Sequence, residues 1–201
     1  LRIGLLTRTP LGETDPVMAN AAKRAAALLE SMGHRVEEMP DIDGTLEEFL
    51  PLMGKMVASV PIPLFADRLQ PSTRWMREQG KGLDTADVLR KQKVLEDRIL
   101  AGFRGFDVMV TPTTPILPPK VGSYAGLDGE ATFRAAALIG AFTAPFNVSG
   151  QPAVSLPAGT TDDGVPIGVQ LVGKPRGDRE LWSLAAAVEA ADLPRAVARQ
   201  S

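Results

Sequence analysis

The sequence predicts an α/β fold, and three features carry that prediction. The chain opens with a short apolar run at Ile3–Leu6, continues with apolar residues at helical spacing, and reaches a second strand pattern at Arg35–Met39. Phe106–Val110 is a further short apolar run. Ala153–Leu156 and Ile167–Val172 are two runs rich in β-branched residues, joined by a polar segment that contains Asp-Gly, which predicts two interior strands linked by an exposed turn.

Length and composition indicate one well-packed unit. The 201 residues suit a single domain or one large piece of a bigger one, and 44% of them are hydrophobic. Folding of such a chain buries roughly 70% of the unfolded surface, so we expect a sizeable core. Leu1 is not an initiator methionine, and the first strand begins at once. We therefore expect that the chain is cut from a longer polypeptide.

Charge and residue usage exclude several classes of function. The net charge is -2, and Lys and Arg are scattered among acidic residues, so no surface for nucleic acid is expected. The absence of cysteine excludes disulfides, thiolate nucleophiles and cysteine-bound metals. No apolar run approaches the length of a membrane helix. We expect a cytoplasmic protein that binds neither nucleic acid nor membrane.

Helices are predicted from their ends and their periodicity. Asp15 is a candidate N-cap, Pro16 suits the first helical position, and Gly33 suits the position beyond the last turn of this first helix. Asp41–Phe65 has apolar residues at helical spacing, with Pro51 as its true start or a kink. Further along the chain, helices are predicted after an N-cap at Asp84, over Ala131–Ala141 and after an N-cap at Asp178.

The segments between these helices are predicted as follows. Leu69–Gly82 is a candidate to pack over a cleft, and Lys120–Glu130 is a glycine-rich loop. Arg195–Ser201 is expected to fray. No repeat or linker interrupts the order, so we treat residues 1–201 as one unit.

Two stretches are candidates for a site. Phe106–Val110 runs into Thr111–Pro115, whose prolines are expected to exclude further ladder pairing, so that the threonine hydroxyls emerge at the carboxyl end of the strand. These hydroxyls either cap backbone groups or line a pocket. Phe142–Gly150 is predicted to be a loop that leads into a buried strand, a common place for ligands. Gln170 is expected to bridge structural elements, because its amide needs partners in a buried strand.

Three motif-like features do not carry chemistry. Gly168–Lys174 has the spacing of a phosphate loop, but Pro175 stands where Ser or Thr would hold magnesium. Gly122–Gly126 has the serine of a nucleophile elbow displaced by one position. His34 is predicted to be a solvated turn residue. From the residues alone, the chain is an α/β domain with a cleft.

Four stretches taken together resemble the C-terminal portion of the amidase signature family. Their order and spacing match that family, and the opening β-α-β pattern fits the same alignment. The stretches are 106–115, 142–150, 151–159 and 163–175. The resemblance implies the C-terminal part of a mixed β-sheet covered by helices on both faces, with residues 1–201 as the C-terminal portion of a single amidase domain.

The family's chemistry sets what the resemblance implies about activity. These enzymes hydrolyse carboxylic amides to acid and ammonia or amine with a serine nucleophile, a second serine in a cis peptide, and a lysine. Those residues lie in and before a Gly/Ser-rich segment that this sequence lacks. The resemblance therefore implies no catalytic residue in this chain, a missing N-terminal part of the same polypeptide as partner, and neither metal nor other cofactor.

The resemblance also implies which residues bind the substrate. The strand end and the loop are expected to form the substrate side of the site, with an apolar wall that favours amides with hydrophobic or aromatic substituents. The predicted residues are Thr113, Thr114, Phe142, Thr143, Phe146 and Asn147. The family's tRNA-linked glutamine amidotransferase subunits are expected to place an acidic residue just before this loop, where this chain has Gly140. A general amidase is therefore preferred to such a subunit.

A second class of function stays open at this point. The opening β-α-β pattern also permits a small-molecule-binding α/β module that has no catalytic residues. If the chain is a fragment, removal of part of its sheet exposes strand edges and apolar surface. We then predict that the isolated chain is inactive and prone to associate, with a homodimer as one option.

Overall fold

A mixed five-stranded sheet forms the centre of the computed structural model, which describes residues 1–61, 68–191 and 193. Its order is β2-β1-β3-β5-β4. The strands are β1 (Arg2–Leu5), β2 (Arg35–Glu38), β3 (Val108–Pro112), β4 (Ala153–Thr160) and β5 (Pro166–Gly173). β1 pairs in parallel with β2 and β3, whereas β5 is antiparallel to β3 and β4. The predicted α/β class and the mixed sheet are thereby confirmed.

Helices cover both faces of this sheet. The helices of the described ranges are α1 (Pro16–Ser31), α2 (Leu46–Ser59), α3 (Pro71–Gly80), α4 (Thr85–Gly102), α5 (Gly129–Ala137), α6 (Ala144–Ser149) and α7 (Asp178–Ala190). On one face, α1 and α7 pack on alternate strand residues such as Val108 and Val110. On the other face, α2, α4 and α6 pack on the intervening residues such as Met109 and Val172. The two-residue period of the strands thus divides the core into two layers. Within the described ranges, no helix has both the length and the apolar character needed to cross a membrane.

The ends of α1 lie where its capping residues predict. The Val17 N–H donates to the Asp15 carboxylate at 2.8 Å, and Pro16 occupies the first helical position. Gly33 has φ +90°, and its N–H donates to the Glu30 carbonyl at 2.9 Å. The next N–H, that of His34, donates to the Leu29 carbonyl at 3.2 Å. This pair of bonds is a Schellman motif, and it explains the glycine at this position.

β3 is longer than predicted at its carboxyl end. It pairs with β5 as far as Pro112, so the expectation that the prolines exclude ladder pairing is wrong at this residue. The Thr113 N–H donates to the Gly168 carbonyl, and alternation along the strand therefore directs the nitrogen of residue 112 to the opposite side. On that side β1 has already ended at Leu5. Pro112 thus lacks a donor only where no partner strand requires one.

Helix bounds also differ from the prediction. α2 begins at Leu46, where the Glu48 carboxylate accepts from the Thr45 N–H at 2.9 Å, and it continues through Pro51 to Ser59. The remainder of the predicted helix, to Phe65, lies partly outside the described residues. Asp128 caps α5, which ends in a 3₁₀ turn at Leu138–Gly140.

Three further predicted segments differ in their outcome. Leu69–Gly82 contains α3. The predicted loop Phe142–Gly150 contains α6, so the loop assignment is wrong there. The predicted frayed end at Arg195–Ser201 lies outside the described residues.

Candidate functional site

Two hydroxyl groups meet just beyond the carboxyl end of β3, one from Thr113 and the other from Ser155 inside β4. The Thr113 and Ser155 hydroxyl oxygens lie 2.6 Å apart, within hydrogen-bond distance. Gly168 of β5 lies beneath them, and a Cβ at this glycine would be 2.9 Å from the Thr113 oxygen and 3.2 Å from the Ser155 oxygen. Glycine therefore leaves the room that the hydroxyl pair occupies. The neighbouring Thr114 hydroxyl donates to the Ile116 carbonyl at 3.0 Å, which is the backbone-capping role that the sequence left open.

Gln170 connects this strand end to the segment that follows α5. Its side chain is 4% exposed. Its Nε2 donates to the Thr111 hydroxyl at 3.1 Å and to the Phe142 carbonyl at 2.8 Å. The predicted bridging role of Gln170 is confirmed. It brings the ends of two predicted site segments together, although they lie about 30 residues apart in the sequence.

The predicted substrate-binding residues of the second segment face in different directions. Phe142 and Phe146 are 2% and 3% exposed, and both belong to the core layer on the α2, α4 and α6 side of the sheet. Thr143 is half-buried, and its hydroxyl donates to the Gly140 carbonyl at 3.2 Å. Asn147 is exposed. The aromatic rings therefore anchor the segment in the core, while the polar side chains are accessible.

An apolar cavity of about 320 Å³ adjoins this segment. It lies among α2, α3 and α5, and the side chains that line it carry no charge. They are Leu11, Leu46, Phe49, Met53, Ser72, Met76, Thr132, Phe133, Ala136 and Ala137, together with Gly140 and Ala144. Residues 140 and 144 face the cavity, whereas Phe142 between them packs towards the sheet. The cavity and the predicted segment are thus parts of one concave surface.

Close backbone contacts hold α3 over this cavity. A Cβ at Gly80 would lie 1.9 Å from the Gly54 carbonyl oxygen, so α2 and α3 cross at a pair of glycines. A Cβ at Gly129 would lie 2.5 Å from the Pro71 carbonyl oxygen, so the start of α5 is also in close contact with the start of α3. The Trp75 and Phe133 rings add a tilted contact with centroids 5.4 Å apart. Leu69–Gly82, which contains α3, was expected to pack over a cleft. Ser72 and Met76 of α3 do line the cavity.

Ionised side chains cluster outside the cavity. Arg98 of α4 donates to the Asp43 carboxylate at 2.8 Å and also contacts Glu48 at the start of α2. These hydrogen bonds from Arg98 hold the pKa values of both carboxyls below their ordinary range. The cluster fastens α4 to the start of α2. In the part of the chain that the structure describes, no group of three His, Cys, Asp or Glu side chains is arranged to hold a metal ion.

A family comparison identifies the class of protein that this fold defines. A family model described as Amidase matches residues 1–182, and the chain therefore belongs to the amidase family. The mixed sheet with helices on both faces is the fold of amidase signature structures.

The relatives are considerably longer than this chain. The chain is 34% identical over 219 residues to 6-aminohexanoate-cyclic-dimer hydrolase of Pseudomonas sp. (strain NK87), and the match covers 95% of this chain and 44% of that protein. The protein of the same description from Paenarthrobacter ureafaciens is 33% identical, with the same coverage. The solved structure of 6-aminohexanoate cyclic dimer hydrolase matches with a TM-score of 0.80 and 30% identity, over 95% of this chain and 45% of that one. The chain thus spans less than half the length of these relatives.

Sequence reasoning missed most of the residues that line the cavity. They come from α2, α3 and α5, which are up to about 90 residues apart in the sequence. The usable signal was the glycine at each helix crossing, since Gly54, Gly80 and Gly129 each stand inside or at the end of a helix. This signal is incomplete, because Gly102 also ends a helix and a Cβ there would meet nothing within 4 Å.

Proposed function

We propose that this chain is the substrate-side part of an amidohydrolase, which converts carboxylic amides to acid and ammonia or amine. The observation that carries this proposal is the Amidase family match over residues 1–182. In this proposal the nucleophilic serine, the cis-peptide serine and the lysine lie on polypeptide outside these 201 residues. No cofactor is proposed.

The proposed chemistry is acyl transfer through a covalent intermediate. A lysine kept neutral by its surroundings removes a proton from one serine through the other, and the nucleophilic oxygen attacks the amide carbonyl. Backbone N–H groups stabilise the oxyanion, and the amine or ammonia leaves. Water then releases the acid and restores the serine.

This chain is proposed to supply the substrate wall. Thr113, beside Ser155 at the strand end, and Thr143, beside the cavity, present hydroxyl groups at the proposed wall. Phe142 and Phe146 are proposed to act from the core, where they fix the position of the segment that bears Thr143. Thr114 and the exposed Asn147 complete the predicted set.

The cavity favours an uncharged amide over a charged one. Gly140 lines it at the place where an acidic residue was expected for a tRNA-linked amidotransferase subunit, and no lining side chain is ionised. A general amidase is therefore proposed, and the amidotransferase subunit is the second candidate within the family. The relatives' name specifies a cyclic dimer of 6-aminohexanoate, and this compound belongs among the amides to be tested.

The test is hydrolysis by the complete polypeptide that contains this chain. Hexanamide, benzamide and the cyclic dimer of 6-aminohexanoate are incubated with it, and release of ammonia or of a free amine is measured. We expect hydrolysis of at least one uncharged amide by the complete polypeptide and none by the 201 residues alone. Absence of hydrolysis by the complete polypeptide would favour the alternative of a non-catalytic binding module.

Phe146→Ala tests whether the buried ring shapes the substrate wall. Deletion of a buried phenyl group lowers the free energy of unfolding by about 3–5 kcal/mol. In addition, we expect kcat/KM to change differently for benzamide and for acetamide, because the segment that bears Thr143 shifts. Phe103→Ala is the matched control, since Phe103 belongs to the same core layer but follows α4. Equal effects of Phe146→Ala on both amides would contradict this role.

A further inference from the structure

We propose that the loop at residues 118–127, between β3 and α5, is a lid that closes over the substrate side of the site and brings Val121 against the bound amide. This inference rests on the proposed function. It adds a moving element and a residue that lies outside the predicted substrate-binding set.

The two ends of the loop adjoin the two parts of the proposed substrate wall. Before the loop, Thr113 and Thr114 follow the carboxyl end of β3. After it, Asp128 caps α5, and Thr132 and Phe133 of this helix line the apolar cavity. The loop therefore borders the wall from one part to the other. Rotation of the loop about its ends can carry its tip over the wall.

Fixed contacts hold the chain on each side of the loop. The Asp15 N–H, which precedes α1, donates to the Pro115 carbonyl at 2.7 Å. Leu117 packs against the core layer that contains α1 residues. Beyond the loop, the Asp128 carboxylate accepts from the Ala131 N–H at 2.8 Å. The loop thus lies between two anchored points, as is typical of compact surface loops that act as lids.

The loop itself is held only by local contacts. Apart from Tyr124, which is half-buried, all of its residues are exposed. In the part of the chain that the structure describes, the backbone hydrogen bonds of the loop are three turns within it. The donor and acceptor residues are Ser123 and Lys120, Ala125 and Gly122, and Leu127 and Tyr124. A segment with few buried contacts and only local hydrogen bonds changes conformation at a low cost in free energy.

Two glycines give the loop its backbone freedom. Gly122 has φ +88° and Gly126 has φ +83°, in a region that favours glycine. A Cβ at either residue would meet nothing within 4 Å, so close packing does not require glycine there. Glycine has access to more backbone conformations than any other residue, and these two positions therefore suit hinges on either side of the loop tip.

Val121 makes the tip of the lid apolar. Its side chain is fully exposed in the structure, which therefore represents the open position from which a substrate can enter. The cavity on the other side of the wall has no ionised side chain in its lining. When the lid closes on an uncharged amide, Val121 and the amide both remove apolar surface from water, and this burial stabilises the closed position.

The kinetic test places a charge at the tip. In the complete polypeptide, Val121→Asp is expected to lower kcat/KM for hexanamide at least about tenfold, because the carboxylate would lose hydration on closure without gaining a counter-ion. Val94→Asp is the matched control, since Val94 is an exposed valine of α4 that does not line the cavity. Neither substitution is expected to change Tm of the unliganded polypeptide.

Two kinetic outcomes would overturn the inference. The first is a loss of kcat/KM for Val121→Asp that is no larger than the loss for Val94→Asp. The second is a fall in Tm that Val121→Asp causes and Val94→Asp does not, because Val121 would then be buried permanently against another part of the complete polypeptide.

Hydrogen exchange measured by mass spectrometry tests closure without the need for turnover. In the complete polypeptide, excess hexanamide is expected to slow exchange at residues 121–127 at least about threefold. The exposed turn at residues 161–165, between β4 and β5, is the internal control and should not change. Slowed exchange without hydrolysis would support the lid and refute the proposed function alone. Hydrolysis without slowed exchange would overturn the lid alone, and the absence of both would overturn the two together.

Discussion

Gln170→Leu removes the amide that joins the end of β3 to the segment before α6. The substitution keeps a similar volume in a side chain that is 4% exposed, but it deletes the donor to the Thr111 hydroxyl and to the Phe142 carbonyl. Thr111 retains a hydrogen bond, because its hydroxyl also donates to the Pro112 carbonyl at 2.7 Å. The Phe142 carbonyl loses the donor that Gln170 supplies.

The expected loss of stability follows from these contacts. Two hydrogen bonds contribute about 1 kcal/mol each, and a buried carbonyl left unpaired adds a penalty of about 1–3 kcal/mol. The loss of the hydrogen bond to Phe142 and the penalty for its unpaired carbonyl are partly the same free energy. We therefore expect Gln170→Leu to lower the free energy of unfolding by about 3 kcal/mol in total. For a chain of this length, that loss lowers Tm by roughly 6–12 °C.

Urea unfolding followed by circular dichroism measures this loss. Thr111→Val serves as the partner in a double-mutant cycle, because it removes the acceptor of one of the two bonds. The coupling between the two substitutions is expected to be about 1 kcal/mol, since the residues are in contact. A loss below about 0.5 kcal/mol for Gln170→Leu, which is the range of ordinary surface substitutions, would refute the bridging role.

Two further predictions concern the helix crossing and an ion pair. Gly80→Ala places a Cβ 1.9 Å from a carbonyl oxygen of α2, so we expect a loss of at least about 1–3 kcal/mol in urea unfolding, whereas Gly102→Ala, which has no neighbour within 4 Å, should lose nothing. Equal effects of the two would contradict the close crossing of α2 and α3. The Asp107 carboxylate accepts from the Arg2 N–H and pairs with Lys174, and these contacts hold its pKa below the ordinary value of 3.8. A lowered pKa in the folded state stabilises the protein above the unfolded pKa, and this stabilisation is lost as pH falls through the folded value. Asp107→Asn should therefore reduce the free energy of unfolding at pH 7 and do so progressively less below about pH 4; a reduction that stays constant with pH would exclude this ion pair as its cause.

The position of the threonines at the end of β3 could be predicted from the sequence, because they follow the strand directly in the chain. Thr113 and Thr114 directly follow β3. Residues that follow a strand lie at the carboxyl end of the sheet, so the position of these two threonines follows from local sequence. Phe142 and Phe146 show the limit of this reasoning. An aromatic side chain in such a segment suits a core and a pocket equally well. Both rings lie in the core layer on the α2, α4 and α6 side of the sheet, and only Phe146 is part of α6.

Local sequence was enough to predict the α/β class, the limits of α1 and the need of Gln170 for partners. It also predicted the Asp-Gly turn between β4 and β5, where Gly164 has φ +84° and its N–H donates to the Thr161 carbonyl at 2.9 Å. Each of these depends on interactions within a few residues of the chain, or on the chemistry of one side chain. The tertiary structure alone decided that β3 continues to Pro112, that residues 144–149 are helical, and that the cavity lies among α2, α3 and α5. Those features depend on which neighbour stands on each side of a strand and on how closely two helices approach, and such distances are set by packing between residues far apart in the chain.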